Sequence, residues 1–230
     1  MTSITSQGKQ GDSPDGTRPR RRRKTGTYAA ADERRKLIIE SAIGHFAQWG
    51  YHNSSLPKIA ADVGISPAGL LHHFGNKREL LMAVLQARAE HATRTFYEGM
   101  GDPDGMDALD MLRRMAAQTE FNLTQPGLVQ MYSVLSAEAA NPEHPAHAYF
   151  RERYDTLLGR IERTLRHGVA SGLLREDVDC AAVARELIGV SDGFQVQWAL
   201  SGGRWDMLGA FHAYLDRLAR TLTRSGHGLS

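Results

Sequence analysis

The chain has 230 residues, of which 41% are hydrophobic and 7% aromatic, and its formal net charge is +2. This length supports one large core or two modest ones, and no apolar run is long enough to cross a bilayer. Cys180 is the single cysteine, so an intrachain disulfide is excluded and nothing suggests an oxidising compartment. We expect a cytoplasmic protein without a membrane partner.

Residues 1–31 predict a disordered basic arm. They carry seven basic side chains and two acidic ones, which leaves a net charge of −3 for the chain from Asp32 onward. A segment so poor in apolar residues cannot bury enough surface to order itself. We expect its basic run to follow DNA phosphates or enter a minor groove, although a tail that only adds solubility is the alternative. The candidate contacts are Arg20, Arg21, Arg22, Arg23 and Lys24.

Residues 54–63 predict a short amphipathic helix. Four apolar residues recur at the spacing of one helix face, and they are Leu56, Ile59, Ala60 and Val63. Ser54 is the expected N-cap. Gly64 ends the helix, since glycine adopts the left-handed conformation at little cost.

A second short helix follows the glycine turn at once. Ser66 is its expected N-cap and Pro67 occupies its first turn. Leu70 and Phe74 lie four residues apart and can pack inward. The outward face then consists of Pro67, Ala68, Gly69, His72 and His73. Two helices in this arrangement form a helix-turn-helix, which typically places its second helix in the major groove, although an ordinary helical hairpin is the alternative.

The segment Ile38–Leu81 resembles the DNA-binding domain of the TetR (tetracycline-repressor-like) family. The matching positions are Ile38, Ala42, Phe46, Gly50, Tyr51, Ser54, Ser55, Ile59, Ala60, Gly64, Ile65, Ser66, Leu70, His73, Phe74, Lys77 and Leu80. Two positions depart from the family pattern. Leu71 stands where a tyrosine commonly reaches a phosphate, and Gly69 stands where a hydroxyl residue is common. The resemblance implies an all-α protein of about nine helices, with a DNA-binding domain over residues 32–77 and a larger effector-binding and dimerisation domain over 78–230.

The expected DNA contacts divide into phosphate and base contacts. Phosphate contacts are expected from Ser54, Ser55, Lys58, His73 and Lys77, with helix N-terminal amides such as those that follow Ser66. Base contacts are expected from Pro67, Ala68 and His72. Because these side chains form few hydrogen bonds, we expect methyl contacts, DNA shape and the arm to contribute much of the specificity.

The remainder of the chain predicts helices and no strands. Asn76 and Glu79 form a capping box for a helix to about residue 98, and the glycines and proline of 101–105 break it. Further helices are expected at about 106–123, 128–139 and 146–171. Asp179 caps another that runs to about residue 200, and the last covers about 205–222.

Two features of these helices suggest binding surfaces. Gly189 and Gly193 lie four residues apart and are best explained by the close approach of another backbone. That backbone belongs either to a second subunit, since the family dimerises through its final two helices, or to the same chain. The candidate effector-pocket residues are Phe121, Met131, Leu135, Tyr154, Phe194 and Trp198, for which plain core is the alternative.

The sequence shows no catalytic motif. Glu143, His144 and His147 lack an obvious fourth ligand, so we expect a solvated loop rather than a metal site. We expect no cofactor and no enzymatic activity.

These features predict a homodimeric transcriptional regulator that binds a palindromic double-stranded DNA operator and is released by an unknown small-molecule effector. Two rivals remain open: a DNA-binding protein with a filled C-terminal core that answers to a protein partner, and a helical enzyme with a vestigial DNA-binding domain. A cavity lined by apolar residues and a few polar groups would favour the effector-responsive regulator. A packed interior would favour the regulator that answers to a protein partner, and convergent ionisable groups would favour the enzyme.

Overall fold

The computed structural model describes residues 24–92 and 106–229. The arginine run at 20–23 and the predicted break at 101–105 lie outside these residues, and the helix expected to reach residue 98 is described as far as Ala92. The described residues form nine helices: α1 Lys24–Asn53, α2 Leu56–Asp62, α3 Pro67–Phe74, α4 Lys77–Ala92, α5 Ala108–Leu123, α6 Pro126–Glu138, α7 His147–Ala170, α8 Cys180–Leu200 and α9 Met207–Leu222. The all-α prediction is therefore confirmed.

The first helix corrects the predicted end of the arm. The described residues up to Lys36 belong to one compact unit, and those from Leu37 onward belong to another. Since α1 begins at Lys24, residues 24–31 are helical rather than disordered. Three consecutive alanines, residues 29–31, explain this because alanine has the highest helix propensity.

The turn between α2 and α3 follows the predicted signals except at one cap. Gly64 has a φ of 70°, and the Ser66 hydroxyl oxygen accepts a hydrogen bond from the Gly69 amide at 3.0 Å. Ser55, not Ser54, occupies the N-cap position of α2. Ser54 is buried and its hydroxyl donates to the Tyr51 carbonyl oxygen at 2.9 Å. The Ser54 cap prediction is wrong because this hydroxyl closes the end of α1 instead.

Half of the capping box predicted for α4 is confirmed. The Asn76 Oδ1 atom accepts from the Glu79 amide at 2.9 Å. The Glu79 carboxylate accepts from the Asn76 side-chain amide at 2.7 Å, whereas the Asn76 backbone amide donates to the Phe74 carbonyl oxygen. Asp179 accepts from the Ala182 amide at the start of α8, as predicted. The bonds to the Glu79 and Ala182 amides satisfy first-turn groups that have no partner within their own helix.

Buried apolar residues form two clusters. The reader core joins α1 to α4 with parts of α6 and α7, and its large members include Phe46, Ile59, Leu70, Leu81, Met131, Leu135 and Phe150. The C-terminal core joins α5, α7, α8 and α9, and includes Leu112, Leu165, Leu187, Phe211 and Leu215. Because α6 contributes to the reader core, the DNA-binding helices do not pack on themselves alone.

No helix within the described ranges combines the length and the apolar character needed to span a membrane.

Candidate DNA-reading face and ligand cavity

Helix α3 presents an outward face almost without charge. Leu70 and Phe74 are buried in the reader core, as predicted, with exposed fractions of 0% and 3%. Pro67, Ala68, Leu71 and His72 are exposed, and Gly69 and His73 are half-buried. The helix contains no lysine or arginine. A face of this kind reads DNA through methyl contacts, imidazole hydrogen bonds and shape rather than through arginine forks.

The cations near α3 have different surroundings. Lys58 on α2 is exposed, with its Nζ 5.9 Å from the centroid of the Trp49 ring. Lys77 is half-buried, donates to the His52 carbonyl oxygen at 3.0 Å, and lies 4.9 Å from the centroid of the Tyr51 ring. Burial lowers the pKa of Lys77, against the opposing effect of Glu138. Lys58 is thus open to DNA, whereas Lys77 holds the start of α4 against the end of α1, a role that sequence reasoning missed.

A bridge connects the end of α1 to the end of α6, and we call Gly50, Tyr51, Glu138 and His144 the α1–α6 joint. Gly50 has φ 68° and ψ −175°, and the next amide, that of Tyr51, donates to Glu138 Oε2 at 2.7 Å. A Cβ atom at Gly50 would overlap Glu138 Oε1. Glycine is therefore required at this position both by its backbone conformation and by the carboxylate beside it.

His144 completes the joint, which corrects the prediction of a solvated loop. It is only 3% exposed, and its ring packs edge to face with the ring of Tyr51 at 5.2 Å between centroids. Its Nδ1 accepts from the Ala146 amide at 3.2 Å, and its Nε2 lies 3.5 Å from Glu138 Oε2. Burial lowers the pKa of His144, outweighing Glu138, which acts to raise it. The neutral ring thus fills space that a short polar loop leaves between the two helices.

The largest change from the sequence prediction is a cavity of about 140 Å³ enclosed by residues of α4 to α9. Its apolar wall includes Met115, Leu128, Val129, Phe150, Leu157 and Ile188. Its charged lining consists of four arginines and one carboxylate, namely Arg88, Arg114, Arg153, Arg160 and Asp192. The cavity is thus apolar in its walls and cationic in its charged groups, which suits an amphipathic ligand.

Hydrogen bonds and ring contacts orient several of these groups. Tyr154 donates to Asp192 Oδ2 at 2.7 Å, and burial raises the pKa of Asp192. The guanidinium carbons of Arg88 and Arg153 lie 5.7 and 5.3 Å from the centroid of the Tyr132 ring. Arg88 also donates to Asn122 Oδ1. The two guanidinium groups are therefore positioned before any ligand arrives.

Of the six predicted pocket residues, only Tyr154 lines this cavity. Met131 and Leu135 face the opposite way, into the reader core. Phe194 packs on Trp205 and Phe211. Trp198 lies against Gly203, and Phe121 is half-buried away from the lining.

A sequence pattern on α7 could have identified some of the cavity-lining residues that the sequence analysis did not name. Arg153, Leu157, Arg160 and Thr164 all line the cavity and recur at the spacing of one helix face. A helix face that mixes arginines with apolar residues is unusual for plain core. Helical periodicity identifies such a face but does not say what it surrounds.

Helix α8 leaves another face uncovered. Within the described part of the chain, no other atom lies within 4 Å of a Cβ added at Gly189 or Gly193. The same face carries Leu200, which is 82% exposed, and at its edge Val196, which is 42% exposed and also lines the cavity. The alternative of a close helix from the same chain therefore does not hold for the described residues.

A helix-turn-helix joined to a helical domain with an internal cavity defines the architecture of a helical DNA-binding regulator. Two family descriptions match the chain: "Bacterial regulatory proteins, tetR family" over residues 38–84 and "BetI-type transcriptional repressor, C-terminal" over residues 110–222. The protein belongs to the TetR family of DNA-binding transcriptional regulators, a family without enzymatic activity.

Named relatives agree with this assignment. The chain is 27% identical over 153 residues to the HTH-type transcriptional regulator SrpR of Pseudomonas putida, covering 66% of this chain and 69% of the relative. It is 25% identical over 164 residues to the HTH-type transcriptional regulator UidR of Escherichia coli K12, covering 71% and 80%.

Solved structures share the fold. FadR from Bacillus subtilis in complex with stearoyl-CoA superposes with a TM-score of 0.69 at 19% identity, over 81% of this chain and 98% of that one. A protein from Saccharomonospora viridis in complex with choline superposes with a TM-score of 0.67 at 24% identity, over 84% and 99%.

Proposed function

We propose that this protein is a homodimeric repressor that leaves a palindromic operator when a small molecule occupies the cavity. The observation that carries the proposal is the direct connection between the cavity wall and the DNA-binding helices. Helices α4 and α6 each contribute to both the cavity wall and the DNA-binding domain, so a shift of either helix alters both regions.

The connection through α6 is short. Leu128, Val129, Tyr132, Ser133 and Ser136 line the cavity, and Glu138, the last residue of the same helix, holds the Tyr51 amide. A ligand that displaces this wall changes the position of Glu138 and, through it, the end of α1. The helical backbone of α1 is interrupted at Gly50, so the end of α1 can change its direction at this residue.

The connection through α4 is equally direct. This helix begins at Lys77, which contacts the end of α1, and Arg88 on the same helix reaches the cavity. Two α3 helices must lie about 34 to 36 Å apart to enter successive major grooves. An effector that prefers another spacing lowers operator affinity by the difference between its affinities for the two states.

A dimer is supported by the uncovered face of α8. Gly189, Gly193, Val196 and Leu200 recur at the spacing of one helix face, and two glycines allow a second backbone to come close. Exposed apolar side chains beside such a groove are typical of association surfaces. We assign this face to the partner subunit.

The proposed DNA surface keeps most of the predicted contacts. Ser55, Lys58, Ser66 and His73 are assigned to phosphates, while Pro67, Ala68 and His72 are assigned to bases. Arg20, Arg21, Arg22, Arg23 and Lys24 are assigned to the adjoining DNA backbone or minor groove. Ser54 and Lys77 act through their intrachain bonds, which fix the end of α1 beside the reading helix.

The cavity argues against both alternative functions, the regulator that answers only to a protein partner and the helical enzyme. A regulator that answers only to a protein needs no internal cavity lined by oriented polar groups. Ionisable groups do converge there, but the described part of the lining contains no histidine, cysteine or lysine, and the family is one of regulators.

The test is to select operator DNA from a random pool, then titrate compounds into the protein bound to the labelled operator. A homodimer on a near-palindrome that is released by a cavity ligand supports the proposal. The matched control is Glu138→Gln, which should bind the same ligand but release DNA less completely. A monomer on one asymmetric half-site, or release that ignores substitutions in the cavity, would contradict it.

A further inference from the structure

We propose that the ligand of the cavity is an organic anion, a carboxylate or phosphate attached to an apolar body. This inference rests on the proposed function in taking the cavity as the effector site. The charges and walls of the cavity carry it, and the bound molecules of the relatives do not decide it, because one is a cation and the other carries an acyl chain on coenzyme A.

The charge inside the cavity is opposite to the charge of the folded body. The chain from Asp32 onward has a net charge of −3, yet among the residues that the structure describes four arginines and one carboxylate line the cavity. An anionic ligand in an apolar cavity lined by arginines gains charge-assisted hydrogen bonds from their guanidinium groups. A cationic ligand there meets positive charge and is repelled.

Asp192, the one carboxylate in the described lining, already has a hydrogen-bond partner and is not positioned to bind a cation. Asp192 accepts a hydrogen bond from the Tyr154 hydroxyl at 2.7 Å. The Tyr132 ring, which could otherwise face a ligand cation, has Arg88 and Arg153 beside it at 5.7 and 5.3 Å. The Asp192 carboxylate and the Tyr132 ring are therefore both engaged by groups of this chain.

The arginines suit a planar or tetrahedral oxyanion. A guanidinium group presents parallel N–H donors that match the oxygens of a carboxylate or a phosphate. Arg153 and Arg160 lie two turns apart on α7, and Arg88 approaches from α4, so an anionic group between them would receive donors from two helices. Leu128, Val129 and Ile188 also line the cavity and offer apolar surface to the remainder of the molecule.

The first experiment compares two fluorescent dyes that differ in one charged group. The full-length protein is titrated with 8-anilinonaphthalene-1-sulfonate, which is anionic, and with N-phenyl-1-naphthylamine, which lacks the sulfonate. We expect the anionic dye to bind about tenfold more tightly than the neutral dye. Equal or tighter binding of the neutral dye, or no binding of either dye, would overturn the inference.

Three variants locate the effect. Arg160→Met should weaken binding of the anionic dye by about tenfold and leave the neutral dye unchanged. Asp192→Asn should strengthen binding of the anionic dye, because it removes the one opposing charge. The matched control is Arg163→Met on the same helix, where an exposed arginine outside the lining is removed. An equal loss in Arg163→Met would show surface binding and contradict the inference.

Competition then separates the sources of the negative charge. Dodecanoate, dodecyl phosphate, dodecanol and dodecyltrimethylammonium are added below their micelle-forming concentrations to the dye complex. Displacement by the two anions but not by the alcohol or the cation supports the inference, and the stronger anion identifies carboxylate or phosphate. Displacement by the cation alone would overturn it.

These measurements need no DNA, so the two proposals can fail separately. A cavity that prefers neutral molecules and still releases operator would reject only the anionic class. A cavity that binds the anionic dye with the expected arginine dependence, but leaves operator affinity unchanged, would reject the release mechanism and retain the ligand class.

Discussion

The reading helix and the ligand cavity use charge in opposite ways. Helix α3, which faces a polyanion, exposes proline, alanine, leucine and histidine and carries no lysine or arginine. The cavity, whose described lining comes from six helices, has four arginines. Within the described residues, the arginines therefore gather at the proposed ligand cavity and not on the outward face of α3.

The difference follows from what each surface has to distinguish. Every DNA sequence has the same phosphates, so basic side chains raise affinity without telling sequences apart. These charges can lie beside the reading helix, on Lys58 and the arm. Inside the cavity, a charge separates one ligand class from another, and the low dielectric makes that separation large.

The α1–α6 joint connects these two regions, and Gly50→Ala should break it with the largest effect. A β-carbon there would overlap the Glu138 carboxylate, and a φ of 68° strains any residue other than glycine. We expect a loss of about 2 to 4 kcal/mol in the free energy of unfolding, together with loss of operator binding. Urea unfolding and gel-shift titration measure the two quantities.

Gly44→Ala is the control for this substitution. Gly44 lies in the same helix and has no other atom within 4 Å of an added Cβ, so alanine should stabilise the helix by about 0.5 to 1 kcal/mol. If both variants behaved alike, the joint would not be a constraint on the fold.

Removal of residues 1–23 tests whether the arm supplies the charge that α3 lacks. We expect affinity for all DNA sequences to fall on the order of a hundredfold at low salt, since each phosphate neutralised contributes about 0.9 to the slope of log affinity against log salt. Removal of residues 1–17 is the control because it keeps all four arginines of the run. A salt slope unaltered by the longer deletion would exclude the arm from the interface.

His72→Ala tests the reading face itself. If His72 contacts a base, its loss should cost about 1 to 3 kcal/mol on the operator and relax the preference at one position, with little change on unrelated DNA. Lys58→Ala is the comparison, since loss of a phosphate contact should weaken all sequences alike. Competition binding on operator and scrambled DNA separates the two results. If His72→Ala weakened binding to both DNAs equally, His72 would be assigned to a phosphate contact instead of a base contact.

The smallest effect is a pH dependence centred on the joint. Burial lowers the pKa of His144 below its usual value of 6.5, so the unfolded chain binds a proton at a higher pH than the folded chain. The contribution of neutral His144 to stability is therefore complete above about pH 6.5 and is lost as the pH falls through the folded-state pKa. Unfolding of wild type and His144→Phe between pH 8 and 5 should show a shallower loss in the variant, while exposed His212→Phe should follow wild type.

Local signals were sufficient for the DNA-binding helices. The turn at Gly64, the Ser66 cap and the inward Leu70 and Phe74 were all predicted, because each depends on residues within one or two helical turns. Ser54 was misassigned by one position at a helix start. A serine hydroxyl can accept from the amides that follow it or donate to a carbonyl that precedes it, and the local sequence does not show which bond forms.

Longer-range features could not be predicted in the same way. Met131 and Leu135 were expected at the pocket because they are apolar and belong to a helical pattern, but they lie in the reader core. No local signal showed that Glu138 binds the Tyr51 amide, 87 positions away in the chain. His144 looked exposed because prolines surround it, and it is 3% exposed.

The sequence by itself determined the helices, their boundaries to within a few residues, and which residues of α3 face outward, because helix periodicity, caps and glycine turns act between near neighbours. The tertiary structure alone decided which helix faces enclose the cavity, that four arginines meet there, and that Glu138 holds the end of α1. Those outcomes depend on how each helix is rotated about its axis and on which helix it packs against. A helical pattern shows that a buried face exists, but its partner is chosen only when all the helices pack together.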